Sequence, residues 1–241
     1  MGPDKTLNIS CIIALLIFLN LCQLNGQESS IPNQYPILNF IGLNISRINP
    51  LGPFKANTGN GYFSGEMHYY RQFKKGSPLF LGLSTYYTML GNRKAVITEF
   101  LDNTIIDFKY STSSHLWGFN IAGRFYPDLY VGKAEFFTEL LIGGKWFFTT
   151  TTKTIPDTED SDIRMDRGRL SLDYGIALGM NYPVYKSLYA SIKSSYLPGT
   201  AGSYYVRNDK SFIEYTTLEG FTLKNSAVEL LRWDLGITFT F

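Results

Sequence analysis

The sequence predicts an all-β chain: an eight-stranded antiparallel up-and-down barrel that crosses a membrane, carried behind a cleaved signal peptide. Three observations predict it. Apolar and polar residues alternate with period 2 through eight segments, the half-buried strand pattern. The connections between those segments alternate long and short. The 241-residue chain is also rich in aromatic residues (16%) and in glycine (22) while only 17% of it is charged, a composition that favours strands over helices. The formal net charge of +2 excludes the basic stripe that a nucleic-acid binder sets against phosphates. It equally excludes a strongly charged disordered tail.

The N-terminus is read first because it leaves the mature chain. After Lys5, an apolar run from Cys11 to Leu19, extended through Leu21 and Cys22, precedes polar Gln23 to Gly26. The run is too short to span about 30 Å of hydrocarbon as a helix, and its layout is that of a secretory signal peptide. Residues 1–26 are so assigned, with cleavage near Gly26/Gln27; an N-terminal anchor helix is the alternative. Leu21 ahead of Cys22 argues against a lipoprotein signal. Both cysteines fall in this segment, so an exported mature chain would rely on no disulfide. Residues 27–36 form a short lead into the barrel domain, 37–241.

The strands follow in order: Ile37–Ser46, Tyr62–Phe73, Leu79–Gly91, His115–Tyr126, Glu135–Phe148, Arg169–Tyr182, Leu188–Leu197 and Leu231–Phe241. The last is the clearest. Leu231, Trp233, Leu235, Ile237, Phe239 and Phe241 share one face, against Arg232, Asp234, Gly236, Thr238 and Thr240. In Arg169–Tyr182, Leu170, Leu172, Tyr174, Ile176, Leu178, Met180 and Tyr182 oppose small or polar residues without a break. That segment exceeds the usual soluble strand of ~5–6 residues and suffices for a tilted membrane strand of ~9–11. Elsewhere no apolar run reaches the ~18 residues of a spanning helix.

Lys74–Pro78, Pro127–Ala134 and Pro183–Ser187 are short connections with turn chemistry. Arg47–Gly61, Asn92–Ser114, Thr149–Gly168 and Pro198–Val228 are long and polar. An even strand number with short periplasmic turns and long extracellular loops is the layout of a transmembrane barrel, and it puts both ends in the periplasm. Trp117, Trp146 and Trp233 then fall toward the long-loop end, and Tyr126 and Tyr182, with Phe239 and Phe241, toward the other, as two aromatic girdles.

With these residues in place, the chain resembles the small outer-membrane β-barrels of Gram-negative bacteria, the group of the OmpA transmembrane domain and OmpX, with many Bacteroidetes barrels of this size. The resemblance implies insertion by the barrel assembly machinery through a terminal aromatic strand, here Trp233, Leu235, Ile237, Phe239 and Phe241. It implies outer-membrane lipid and lipopolysaccharide as surroundings. It says little about activity.

Inside an eight-stranded barrel, side chains fill the lumen. The inward positions carry Glu66, His68, Arg124, Glu139, Lys145, Arg169, Asp173, Lys193, Arg232 and Asp234, a near balance of charge that implies a paired plug rather than an ion path. A lipid A enzyme on the same scaffold would need His68 or His115 beside a serine and a carboxylate. Ser111, Ser113, Ser114 and Asp107 are the candidates around His115. The acidic run Asp157, Glu159, Asp160, Asp162 and Asp166 lacks the spacing and turn glycine of a calcium loop. In the last long loop Tyr204, Tyr205, Phe212, Tyr215 and Phe221 either contact an extracellular partner or pack on their neighbours. The resulting expectation is a monomeric barrel with a structural or surface-interaction role, no catalysis, no cofactor and no metal, touching an extracellular partner through its long loops. A small pore, a lipid A enzyme and a secreted lipocalin-like barrel are the competing readings.

Overall fold

The computed structural model describes residues 38–59, 61–101, 104–154, 161–207 and 218–241. The signal-peptide and lead assignments, Asp157, Glu159, Asp160, Phe212 and Tyr215 lie outside these residues. The strands among the described residues are β1 (Asn39–Leu51), β2 (Tyr62–Gln72), β3 (Leu79–Leu101), β4 (Thr104–Phe125), β5 (Tyr130–Val131), β6 (Ala134–Thr154), β7 (Ser161–Tyr185), β8 (Leu188–Leu197), β9 (Ala201–Arg207), β10 (Phe221–Ala227) and β11 (Glu229–Thr240), with an α-helix, α1 (Gly52–Thr58), and a 3-10 turn at Leu218–Gly220.

Eight of these strands pair antiparallel in the order β1-β2-β3-β4-β6-β7-β8-β11, and β11 returns to β1 from Phe40↔Thr240 to Leu51↔Glu229. The sheet is therefore a closed up-and-down barrel without free edges along its wall, as expected. Each of the eight segments read from the alternation falls on one of these strands apart from end residues such as Phe73, Tyr126 and Phe241, with Ile37 outside the described residues. The start of β1 meets the C-terminal residue at the short-turn end, where the Asn39 amide donates to the Phe241 carbonyl at 2.9 Å and the Phe241 amide donates back to the Asn39 carbonyl at 3.1 Å. Connections at that end are brief. Between β7 and β8 only Lys186 and Ser187 turn the chain, with Lys186 at φ 36°.

Two expected loops are mostly strand. β3 and β4 stay paired up to Leu101↔Thr104, and β6 and β7 up to Thr154↔Ser161. β2 leaves β3 after Ser64↔Thr88, and β8 leaves β7 after Ile176↔Tyr196. A four-stranded sheet thus rises beyond the rim. Asn92–Ser114 and Thr149–Gly168 are polar enough to resemble loops, yet their Thr, Val, Ile and Tyr residues suit a pleated surface. Register shifts at Met89/Gly91 and Thr149/Thr150 break the strict alternation there, which hid the continuation.

The long-loop mouth is covered from inside the chain. α1 carries Pro53 in its first turn, where a missing amide costs nothing. Its one buried side chain, Phe54, meets the Tyr204 ring edge-to-face at 4.8 Å and the Phe147 ring at 6.1 Å. The β9–β10 hairpin lies against the inner face of the raised sheet, where Ser114 Oγ donates to the Tyr205 carbonyl at 2.9 Å. Tyr204 and Phe221 are buried. Two residues of the expected aromatic contact patch therefore face inward, because closing the barrel mouth takes their rings out of water.

Candidate functional site

Alternation assigns each barrel residue to the lumen or to the outer wall, and the two surfaces carry the chemistry. Within the lumen three layers are stacked. At the short-turn end Phe40 and Phe80 stack at 4.6 Å, Tyr126 sits edge-on to Phe80 at 5.4 Å, and Phe137 lies 5.7 Å from Tyr126. At the long-loop end Ile48, Phe54, Leu116, Phe147, Leu197, Tyr204, Val228 and Leu230 form an apolar cap.

The charged layer lies between them. Arg124 Nε donates to Glu139 Oε1 at 2.7 Å and stacks 4.1 Å over the Tyr70 ring and 4.0 Å over the Phe137 ring. Arg232 and Lys193 each reach Glu66 Oε1 at 2.8 Å, while Asn44 donates to Glu66 Oε2. Arg232 also holds Asp234 at 2.9 Å. Lys193 lies 3.5 Å from Glu139 and 3.7 Å from Asp234, joining the two groups. Lys145 pairs with Asp173 at 2.7 Å and donates to the carbonyls of Leu197 and Val228, both at 2.9 Å. Tyr70 and Tyr86 donate to Glu139 and Asp173 at 2.9 and 3.2 Å. Four cations thus meet four carboxylates, and all eight are buried.

Nine of the ten lumen residues expected from sequence are in or beside this layer. His68 is buried, with Nε2 3.3 Å from Thr238 Oγ1. Arg169 is the correction. It occupies an inward position opposite Phe147 but lies on the part of β7 beyond its pairing with β8, and it is exposed. Its removal makes the layer balanced. Sequence reasoning passed over Asn44, Tyr70 and Tyr86 as network members, although their parity with Glu66, His68 and Arg124 was available. It could not foresee that inward glycines make room for them: a Cβ at Gly118 would overlap the Tyr86 ring, and one at Gly82 the Tyr70 ring.

The outer wall is the inverse. Leu43, Ile45, Leu83, Ile121, Ile142, Leu172, Leu178 and Leu235 are each about three-fifths to three-quarters exposed. Around the long-loop edge of this belt, Trp117, Trp146, Phe148, His115 and Tyr87 form a ladder of rings, adjacent centroids being 4.8 to 6.1 Å apart. Trp233 and Tyr182 also face outward. Tyr126 does not. It continues the even, inward-facing register of β4, accepts from Asn181 at 2.9 Å and belongs to the aromatic floor. Trp233, Leu235, Ile237 and Phe239 face outward on the last strand, and Phe241, just past its end, is exposed as well.

His115 bonds the Tyr87 hydroxyl through Nδ1 at 2.7 Å and the Thr150 hydroxyl through Nε2 at 3.2 Å. Asp107 accepts from Thr98. The residues around His115 are therefore not arranged as nucleophile, base and orienting acid.

No family model matches the chain, and no curated protein does. Among solved structures it is similar to Neisserial surface protein A (9% identity, TM-score 0.37, 84% of this chain and 97% of that one). It is also similar to a major outer membrane protein from Thermus thermophilus (12%, 0.38, 85% and 99%). A third is the outer membrane protein AlkL in lipid bilayers (10%, 0.40, 88% and 97%).

Proposed function

We propose that this protein is an integral β-barrel of a Gram-negative outer membrane, a monomer with a closed lumen and a structural or surface-interaction role. The observation that carries this reading is the inversion of its two faces: eight buried charges inside and a belt of exposed Leu, Ile, Phe, Tyr and Trp outside. An exposed apolar surface this continuous is not sustained in water. Hydrocarbon, in turn, tolerates only backbone that is fully paired, which a closed barrel supplies. A lipocalin-like barrel has the opposite arrangement, with its apolar side chains around an internal cavity. The aromatic ladder and the outward rings of Tyr182 and Phe239 suit the two membrane interfaces. In this reading the termini lie in the periplasm, the raised sheet and its loops face the exterior, and the barrel assembly machinery acts on the last strand.

The test is extraction in detergent followed by electrophoresis with and without boiling. A membrane barrel migrates faster unboiled, because its closed sheet resists unfolding by the detergent. Identical migration, together with recovery in the soluble fraction, would overturn the reading.

A further inference from the structure

The outer wall is not uniformly covered. On β2 the outward residue between Phe63 and Met67 is Gly65, exposed and paired with Ile45 and Tyr87, and a Cβ there would touch nothing within 4 Å. The neighbouring outward position on β3 is Thr85. Its hydroxyl is turned back onto the sheet, donating to the Gly118 carbonyl at 3.0 Å and accepting from Trp117 Nε1. Phe119, which pairs with Thr85, lies across Gly144, where a Cβ would meet the Phe119 ring at 2.9 Å. Two small residues and one ring tipped aside leave a groove across β1, β2, β3 and β4 to the near edge of β6. Its lower part, about 570 Å³, runs between Met67, Leu83, Phe119 and Ile121. Its upper part, about 600 Å³, runs past Gly65 and Tyr87 to Trp117 and Phe148.

Directly above, the outward residues of the same strands change character. On β4 the sequence climbs from Ile121, Phe119 and Trp117 through His115 to Ser113, Ser111 and Lys109; on β3 it climbs from Leu83 through Tyr87 to Asn92 and Lys94. Asn92 Nδ2 donates to Ser113 Oγ at 2.7 Å and Ser111 Oγ at 3.3 Å. Thr150 and Thr152 extend this hydroxyl shelf onto β6, and Lys94 and Lys109 are exposed on it. Asp107 is one row higher, held by Thr98.

We propose that groove and shelf together seat one phosphorylated, hydroxyl-bearing glycolipid of the outer leaflet, the lipid A class, with an acyl chain in the groove and its head on the shelf. The proposal rests on the membrane reading above and specifies a site within it. Lipid tails are as apolar as the wall, so burying a chain in the groove brings no hydrophobic gain over bulk bilayer. A preferred occupant must gain from close packing and from its head. The two lysines favour a phosphate, and the serines, threonines and Asn92 suit sugar hydroxyls.

The experiment reconstitutes the full chain in phosphatidylcholine nanodiscs containing a small fraction of lipid A. Lipid retained per barrel is counted by native mass spectrometry, with phosphatidylglycerol as an anionic control that has no sugar. The expected result is saturable retention of one lipid A, in preference to phosphatidylglycerol. Retention should fall at least tenfold in Gly65→Leu, which fills the groove, and in the Lys94→Ser/Lys109→Ser pair, which lies outside the barrel wall and leaves its fold intact. Equal retention of both lipids, or no loss in the lysine pair, overturns the proposal while the membrane reading stands. A chain that never enters the nanodisc overturns both.

Discussion

Glu66 is the point where the charged layer converges: one carboxylate receives Arg232, Lys193 and Asn44. Glu66→Ala leaves two buried cations facing each other without their shared counter-charge, a loss on the order of 3–5 kcal/mol. We expect a matching fall in the urea midpoint of the refolded barrel, and partial recovery when Arg232→Met is added, since that change removes one of the stranded cations. A cost below about 1 kcal/mol, the range of solvent-exposed pairs, would mean that the layer is wet. At this scale parity was the readable signal. It placed Glu66, Lys145 and Asp234 inside because one pleat sends every second residue the same way. It missed where parity stops deciding burial. Arg169 has inward parity but stands where β7 has left β8 and pairs with β6 alone, and Tyr126 continues an inward row past the end of its strand.

Among the elements, the barrel strands were legible and the parts that close the barrel mouth were not. Strand alternation is local, whereas the seat of the β9–β10 hairpin depends on contacts such as Asn57 to the Tyr204 hydroxyl at 2.9 Å, across 147 residues. A polar, glycine-bearing stretch between strands gives no sign of such a partner. The roots of the hairpin close over Lys145, whose ammonium group donates to the carbonyls at the two ends of the last loop, Leu197 and Val228. Replacing residues 200–227 with an Asn-Gly turn removes that cover while leaving β8 and β11 paired. We expect a water-soluble amine-reactive ester to acylate Lys145 in the shortened barrel and to leave it unmodified in the full chain, as read by peptide mass spectrometry. If the full chain is acylated there as readily, the hairpin does not cover the lumen.

For the molecule as a whole, the aromatic excess that first suggested strands divides into two roles. Outward rings line the wall at its edges, while Phe40, Phe80, Tyr126 and Phe137 close the lumen from below. The composition could not separate these, since both use the same residues on opposite faces. The distinction governs conduction, because cap, charged layer and aromatic floor lie in series along the barrel axis. An ion entering from the long-loop side would have to displace Phe54 and Tyr204, then part the Lys193, Arg232 and Glu66 contacts, then pass the stacked rings of Phe40 and Phe80. Eight strands leave an interior only wide enough for such side chains, so opening one layer does not open the others. The refolded protein in planar bilayers should therefore show no steady current. The barrel shortened at residues 200–227 should also show none, because its charged layer and floor are intact. Steady unitary currents from the full chain would establish a continuous water path and overturn the closed-lumen reading. Currents confined to the shortened barrel would instead locate the whole barrier in the cap.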